Sequence, residues 1–413
     1  MTSHKPIFSA YEKFVIFTLA LIQFTIIADF MLLSPLGAIL MPEMRISTSQ
    51  FGLVVSVYAF SAGVSGLLAA GFADRVDRKK MLIFFYCGFL LGSLFCGIAD
   101  SYQALLLARI VTGFFGGVVG SISFAIITDT FRMEVRGRVM GFIQMAFAAS
   151  QIMGIPFGLY LATRIDWHAP FLAVAAMATA ITILIAIRLK PVTEHLQAAT
   201  DKSAFLHLWH TASNFSYIRG FVAMMMLSVG GFLIMPFSST FIVNNILIPE
   251  ENLSLIFFVI GLVSIATSPV IGIICDRLGK YPVFVFGSLL SMALVVVYTH
   301  LGPNPVWIVI LTNSILWIGV SSRMISSSAL TSGIPEIKDR GAYMGINSSI
   351  QQISGGVASA ISGMIVYQPS PDHPLQHYDI VGYLTVGTMS LTMIMMYFID
   401  RQVSRNRSQS PDS

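Results

Sequence analysis

The stretch 70–80 reads Ala-Gly-Phe-Ala-Asp-Arg-Val-Asp-Arg-Lys-Lys and joins two apolar runs, 51–70 and 81–99. Each run holds about 20 residues, which at 1.5 Å of helix rise per residue spans a hydrocarbon core about 30 Å thick. Arg75, Arg78, Lys79 and Lys80 fix the direction of both runs, because cationic loops stay on the cytoplasmic side. A sparser copy, Gly-Ile-Ile-Cys-Asp-Arg-Leu-Gly-Lys at 272–280, again lies between apolar runs. Asp74-Arg75 and Asp276-Arg277 stand 202 positions apart in a chain of 413. Such an offset implies two copies of one membrane unit.

Composition supports the same solvent. Hydrophobic residues make up 55% of the chain and charged residues 11%, against about 25% charged in soluble domains. So few charges cannot coat a chain of this length, and lipid must cover most of its surface. The net charge of +4 then reflects topology rather than a nucleic-acid partner. Cys87, Cys96 and Cys275 sit in or beside apolar runs, which argues against a disulfide framework. Cys87 and Cys96 fall on opposite faces of one helix and suggest no metal pair. The polar segment 1–13 precedes an apolar run too long for a signal-peptide core, so that run is expected to remain as a membrane helix.

Apolar segments fall at 14–40, 51–70, 81–99, 102–128, 137–163 and 167–189, and again at 218–245, 252–274, 281–300, 305–330, 341–367 and 378–399. Helix is required throughout, since isolated strands would leave backbone groups unpaired in lipid. The expected organisation is a cytoplasmic N-terminus (1–13), a six-helix bundle (14–189), a cytoplasmic linker (190–217), a second six-helix bundle (218–399) and a cytoplasmic, disordered tail (400–413). This threading puts twenty of the 24 Lys and Arg residues on one side. Only Arg45 and Arg164 fall in opposite loops, and Arg109 and Arg323 fall inside helices. Both termini are therefore expected in the cytoplasm. Ser47-Thr48-Ser49-Gln50 has the form of a capping box at a helix start. Within the linker, 205–210 reads either as an interfacial amphipathic helix or as plain tether. A second anchor supports the repeat: Arg-Gly-x-x-Met-Gly opens the fifth helix of each half, at 136–141 and 340–345.

On these residues the chain resembles the major facilitator superfamily, and within it the twelve-helix drug-efflux and sugar-efflux antiporters. The resemblance covers about 14–399. The family's first loop motif, Gly-x-x-x-Asp-Arg-x-Gly-Arg-Lys, appears at 70–79 with Ala70 and Asp77 in place of its glycines. Its second-half copy keeps Gly272, Asp276, Arg277, Gly279 and Lys280. Arg109, Gly113 and Gly117 meet the fourth-helix motif Arg-x-x-x-Gly-x-x-x-Gly, and Gly154, Pro156 and Gly158 form a reduced version of the fifth-helix antiporter motif. The implied fold is all-α, two six-helix bundles related by a parallel repeat. The implied activity is proton-coupled export of drug-like or sugar-like molecules. Import of a nutrient or siderophore-like ligand by proton symport is the alternative, and a non-transporting membrane sensor lies further off.

The resemblance also assigns roles. Asp74 would face the start of the eleventh helix near Gly341, where free N–H groups and the helix dipole favour a carboxylate. Arg78 would meet Asp129, and Arg75, Asp276 and Arg277 would join them in a cytoplasmic gate. Asp29 lies about 23 Å into the first helix and Arg109 about 10 Å into the fourth from the other side, so their depths nearly coincide. An embedded acid pairs or takes up a proton. Asp29 is accordingly the candidate proton carrier, alternating between protonated and Arg109-paired forms. The other reading keeps it as a structural group bonded to Thr25.

Gly113, Gly117 and their neighbours Gly116 and Gly120 read as helix packing, and Pro156 as a kink. Gln144, Gln151, Asn313, Trp317, Asn347 and Gln351 are candidates to line a cavity, whereas Arg323 is expected to snorkel to the interface. The histidine pairs 207/210 and 373/377 lack the acidic or Cys company of a metal site. No nucleotide or hydrolase motif occurs, so the chain reads as no enzyme. It needs no cofactor beyond a proton gradient. Its expected partners are a small-molecule substrate and the bilayer of a bacterial-type inner membrane, with the protein a monomer.

Overall fold

A computed structural model describes residues 8–72, 76–193, 204–336, 339–370 and 373–408. The first half comprises α1 (Ala10–Leu32) with its short continuation α2 (Gly37–Met44), then α3 (Thr48–Phe72), α4 (Arg78–Cys96) and α5 (Tyr102–Thr130). Its fifth span is α6 (Met133–Ala149) and α7 (Ile155–Arg164), joined by a π-helical turn at Ser150–Gly154, and α8 (Ala169–Arg188) closes it. After α9 (Ala204–Ala212) the pattern repeats. It runs through α10 (Phe215–Ile234), which passes by a 3-10 turn into α11 (Ser238–Asn244), and then through α12 (Leu253–Leu278) and α13 (Lys280–Thr299). It ends with α14 (Val306–Thr331), α15 (Arg340–Ile365) and α16 (Tyr378–Ser408). The first helix of each half is thus broken in the same place.

Ten of these spans are long and apolar enough to cross a membrane. The exceptions have separate causes. The fifth is divided at its π turn, just before Pro156, so the expected kink is spread over a wider helical turn. The eleventh, α15, carries Asn347, Gln351, Gln352 and five serines, and it can afford them because α3 covers much of it. A Cβ on Gly52 would come within 2.8 Å of Ser359 O, and one on Gly363 within 2.8 Å of Thr48 O. Gly63 and Gly356 make comparable approaches to Ser349 O and Ser56 O. Small residues bring the two backbones together, and the halves meet along this seam.

One local expectation changes and one open reading is decided. The tail is ordered as helix to Ser408, because α16 runs straight on from its apolar part. The linker forms a real helix, α9, with Trp209 exposed. The capping box at the start of α3 is present: Ser47 N donates to Gln50 Oε1 at 2.9 Å and Gln50 N to Ser47 Oγ at 3.2 Å.

The end of the molecule away from the termini is sealed. Ser34 Oγ donates to Met235 O (2.7 Å), Ser239 Oγ to Ser34 O (3.1 Å), Thr48 Oγ1 to Val366 O (2.7 Å) and Ser254 Oγ to Pro156 O (2.9 Å), all from one half to the other. Around them a single apolar cluster draws Leu36, Leu40 and Phe51 together with Phe237, Phe241 and Ile256. At the terminal end the halves keep separate cores, one around Phe85, Val119 and Ile181 and the other around Phe221, Phe284 and Tyr343. Among the described residues the link between these two cores is Leu67 of α3, which packs against the second, so the halves are joined more firmly at the far end than at the terminal end.

Candidate functional site

Asp29 and Arg109 meet. Arg109 Nη1 donates to Asp29 Oδ2 at 2.7 Å, and the side chains are 1% and 0% exposed. Asp29 is in the last turns of α1 and Arg109 in the second turn of α5, so antiparallel helices bring them to one depth. Ser93 Oγ on α4 donates to Asp29 Oδ1 at 2.9 Å. The Tyr58 ring of α3 lies 4.3 Å beneath the guanidinium carbon, a cation–π contact. Four helices therefore contribute to one charge pair. Thr25 takes no part: its hydroxyl bonds Ile22 O and Tyr86 OH (2.8 and 2.9 Å), which removes the proposed Thr25–Asp29 bond.

The pair sits wholly inside the first half, but an aromatic bridge links it to the second. Tyr58 stacks on Phe30 (centroids 5.1 Å apart), and Phe30 meets Phe232 of α10 at 5.9 Å. A buried carboxylate is tolerated only while paired or protonated. Protonating Asp29 would remove the attraction that holds Arg109 beside it, and Arg109 Nε already lacks a partner.

The other polar candidates are dispersed. Gln151 lies in the π turn, its Nε2 4.0 Å from Met31 Sδ. Asn313 is buried and bonds Val309 O on its own helix, and Trp317 packs half-buried on the sealed-end cluster. Asn347 is buried with Oδ1 unpartnered, and Gln351 Nε2 donates to the Asn347 carbonyl. The Gln144 side chain lies outside the described residues. Arg323 does not snorkel: it is 3% exposed, over the Phe284 ring.

At the terminal end, Arg78 Nε donates to Asp129 Oδ2 at 3.1 Å. Asp74 and Arg75 lie outside the described residues. Asp276 and Arg277 are exposed, whereas Lys280 Nζ donates to Ala329 O at 3.1 Å, the second-half counterpart of the Arg78 contact. Among the described residues, nothing lies within 4 Å of a Cβ placed on Gly341. Asp77, which stands where the motif has glycine, acts as a cap and a clasp. Its Oδ1 accepts from Lys79 N (2.9 Å), capping α4, and from Val192 N (3.0 Å), which pins the start of the linker. An Asp immediately before a helical run is a capping signal, and that reading was available.

The family model for the Major Facilitator Superfamily matches residues 19–241 and 220–412. The chain belongs to the major facilitator superfamily. It is 26% identical over 275 residues to an uncharacterized MFS-type transporter of Bacillus subtilis, YceJ, covering 66% of this chain and 70% of that protein. A probable sugar efflux transporter of Helicobacter pylori (strain G27) is 21% identical over 282 residues, 68% and 70% of the two chains. Among solved structures, a bacterial homolog of the human lysosomal transporter Spinster, inward-facing and unoccupied, superposes with a TM-score of 0.79 at 14% identity over 96% and 98% of the chains. A D-xylose–proton symporter superposes with a TM-score of 0.77 at 13% identity over 94% and 98%. The protein is a multi-pass membrane transporter, not an enzyme.

The superfamily motif glycines on α5 lie against α3. A Cβ on Gly113 would run into Tyr58 O and one on Gly117 into Ala62 O, whereas a Cβ on Gly120 would meet nothing within 4 Å among the described residues. Gly113 therefore also sets the height of Tyr58 beneath Arg109. On the fifth span, Gly154 faces Ala28 and Gly158 faces Leu32, on either side of Asp29 along α1.

Proposed function

We propose that this superfamily member is a proton-driven exporter of small, partly apolar or sugar-like molecules, with its termini in the cytoplasm of a bacterial-type inner membrane. The observation that carries this is the Asp29–Arg109 pair, one acid and one base buried together at one depth inside the first half. A carboxylate held this way can accept a proton only by giving up its partner, which supports a coupling role for Asp29. Cation bias toward the terminal side supports the orientation. A sealed far end then corresponds to an inward-facing state, ready to load cargo from the cytoplasm. The name of the Helicobacter pylori relative supports efflux as the direction.

Reconstitution into liposomes with an imposed pH gradient tests the reading against dyes, sugars, siderophores and amino acids. Substrate should move opposite to the proton flow, and dissipating the gradient should stop concentrative transport. Movement with the protons would make the protein a symporter; movement indifferent to the gradient would remove proton coupling.

At the gate, Asp74, Arg75, Asp276, Arg277 and Gly341 would form the contacts that close the cytoplasmic side, whereas the Arg78–Asp129 pair, made within the first half in this inward-facing state, would hold α4 against α5. Arg78→Ala should cost about 1–3 kcal/mol in the state where the contact is made and reduce transport, and a partial rescue is expected from Arg78→Lys. Unchanged transport by the alanine variant would leave Arg78 a topological charge only.

A further inference from the structure

Arg323 is a buried cation that the Asp29 pair leaves unexplained. Its side chain is 3% exposed, its Nε and Nη2 have no hydrogen-bond partner, and among the described residues no carboxylate forms an ion pair with it. It lies on α14 two turns from Leu316 in one direction and two turns from Leu330 in the other, on the same helix face. Leu316 belongs to an apolar cluster with Val295 and Met389, and Leu330 to a cluster with Phe284 and Met396. Arg323 thus occupies a polar layer between two apolar ones.

That layer has other donors. The guanidinium carbon lies 5.8 Å from the centre of the Phe284 ring on α13. Ser288, one helical turn on from Phe284 and on the same face, is fully buried with its hydroxyl unpartnered, and so is Ser291 in the next turn. The two helices touch here. A Cβ on Gly287 would lie 2.8 Å from Gly319 O and 3.2 Å from Arg323 N, and one on Gly319 would lie 2.5 Å from Ser291 Oγ. The layer is therefore narrow, and it presents a fixed cation together with two free hydroxyls.

We propose that α13 and α14 hold a binding site for one small anion, a halide, nitrate or single carboxylate group, with Arg323 as its counter-charge and Ser288 and Ser291 as further donors. A guanidinium carries donors only and keeps its charge, so its unmet demand is for an acceptor bearing negative charge. A charge this deep is costly unless matched. Arg323 is about 12 Å from the end of α14 on the terminal side. The site stands apart from Asp29 and does not depend on the direction or coupling of transport.

Thermal unfolding of the purified protein in neutral detergent tests the site, at constant ionic strength with gluconate replaced stepwise by chloride, nitrate or acetate. The expected result is a saturable rise in melting temperature with each small anion and none with gluconate, whose hydroxylated chain is too bulky for so narrow a layer. Arg323→Met should abolish the anion dependence, and Ser288→Ala combined with Ser291→Ala should raise the half-saturating concentration several-fold. A wild-type melting temperature indifferent to anion identity would overturn the proposal, as would an unchanged saturable shift in Arg323→Met. Should that variant not fold, the wild-type titration and the serine variant still decide. Proteoliposomes separate the sources: a carried carboxylate that competes with chloride would place the cargo's own charge in the site. Chloride that changes the transport rate without competing would make it a resident ion.

Discussion

Asp29→Asn should abolish gradient-driven transport and, by leaving Arg109 charged and unmatched, cost the fold about 3–5 kcal/mol. The geometry separates the two effects. The amide introduced by that substitution could still accept from Ser93, which bonds Oδ1, but would leave the Arg109 contact at 2.7 Å without its negative partner. A double variant, Asp29→Asn with Arg109→Gln, removes both charges and should recover most of the stability, because the penalty comes from the orphaned ion rather than from losing the pair. It should not recover coupling. Melting temperature and pH-gradient-driven flux, measured on both variants, check this together. If the double variant pumps at the normal rate, the pair is structural and the proton is carried elsewhere.

The second large effect is conformational. Gly363→Leu should hold the far end open, since a side chain there collides with Thr48 O and the backbone of Gly52. Overpacking typically costs about 1–3 kcal/mol, here borne only by the state in which α3 and α15 are pressed together. A bias of that size shifts a two-state population by about fivefold to more than a hundredfold. Distances between spin labels on α2 and α11 should lengthen in the variant, and steady transport should fall because one half-cycle is missing. Labels that report the same closed distance as wild type would show that the seam can absorb the side chain. Gly52→Leu provides a check from the opposite helix.

Much of the fold was legible because its causes are local. Spans of about 20 apolar residues, loops rich in cations and an offset repeated at two anchors each limit the chain independently, and together they imply twelve spans in two halves. Arg109 and Asp29 could be matched because helical rise converts sequence position into depth. The same conversion misled at Arg323, since depth along a helix says nothing about the face on which a residue stands. Arg323 shares its stripe with Leu316 and Leu330 and so turns inward. Ser93 and Tyr58 were not foreseen as partners of the pair, because a serine or tyrosine in an apolar run gives no sign of which neighbour it will reach. The helical tail to Ser408 was missed for a different reason: polarity was read as disorder, although nothing in 400–408 breaks a helix already under way.

The junction between the halves is fastened at both ends. Asp77 grips Val192, while His207 Nε2 and Tyr217 OH both bond the Asp339 carboxylate at the head of α15, at 3.0 and 2.8 Å. That leaves the 14 residues 193–206 between the two fastenings, a length that reaches no further than about 50 Å at full stretch. A limit of this kind bounds distance, not direction. It keeps each bundle at a high effective concentration around the other, so the seam can part and re-form many times without the two ever becoming strangers in the membrane.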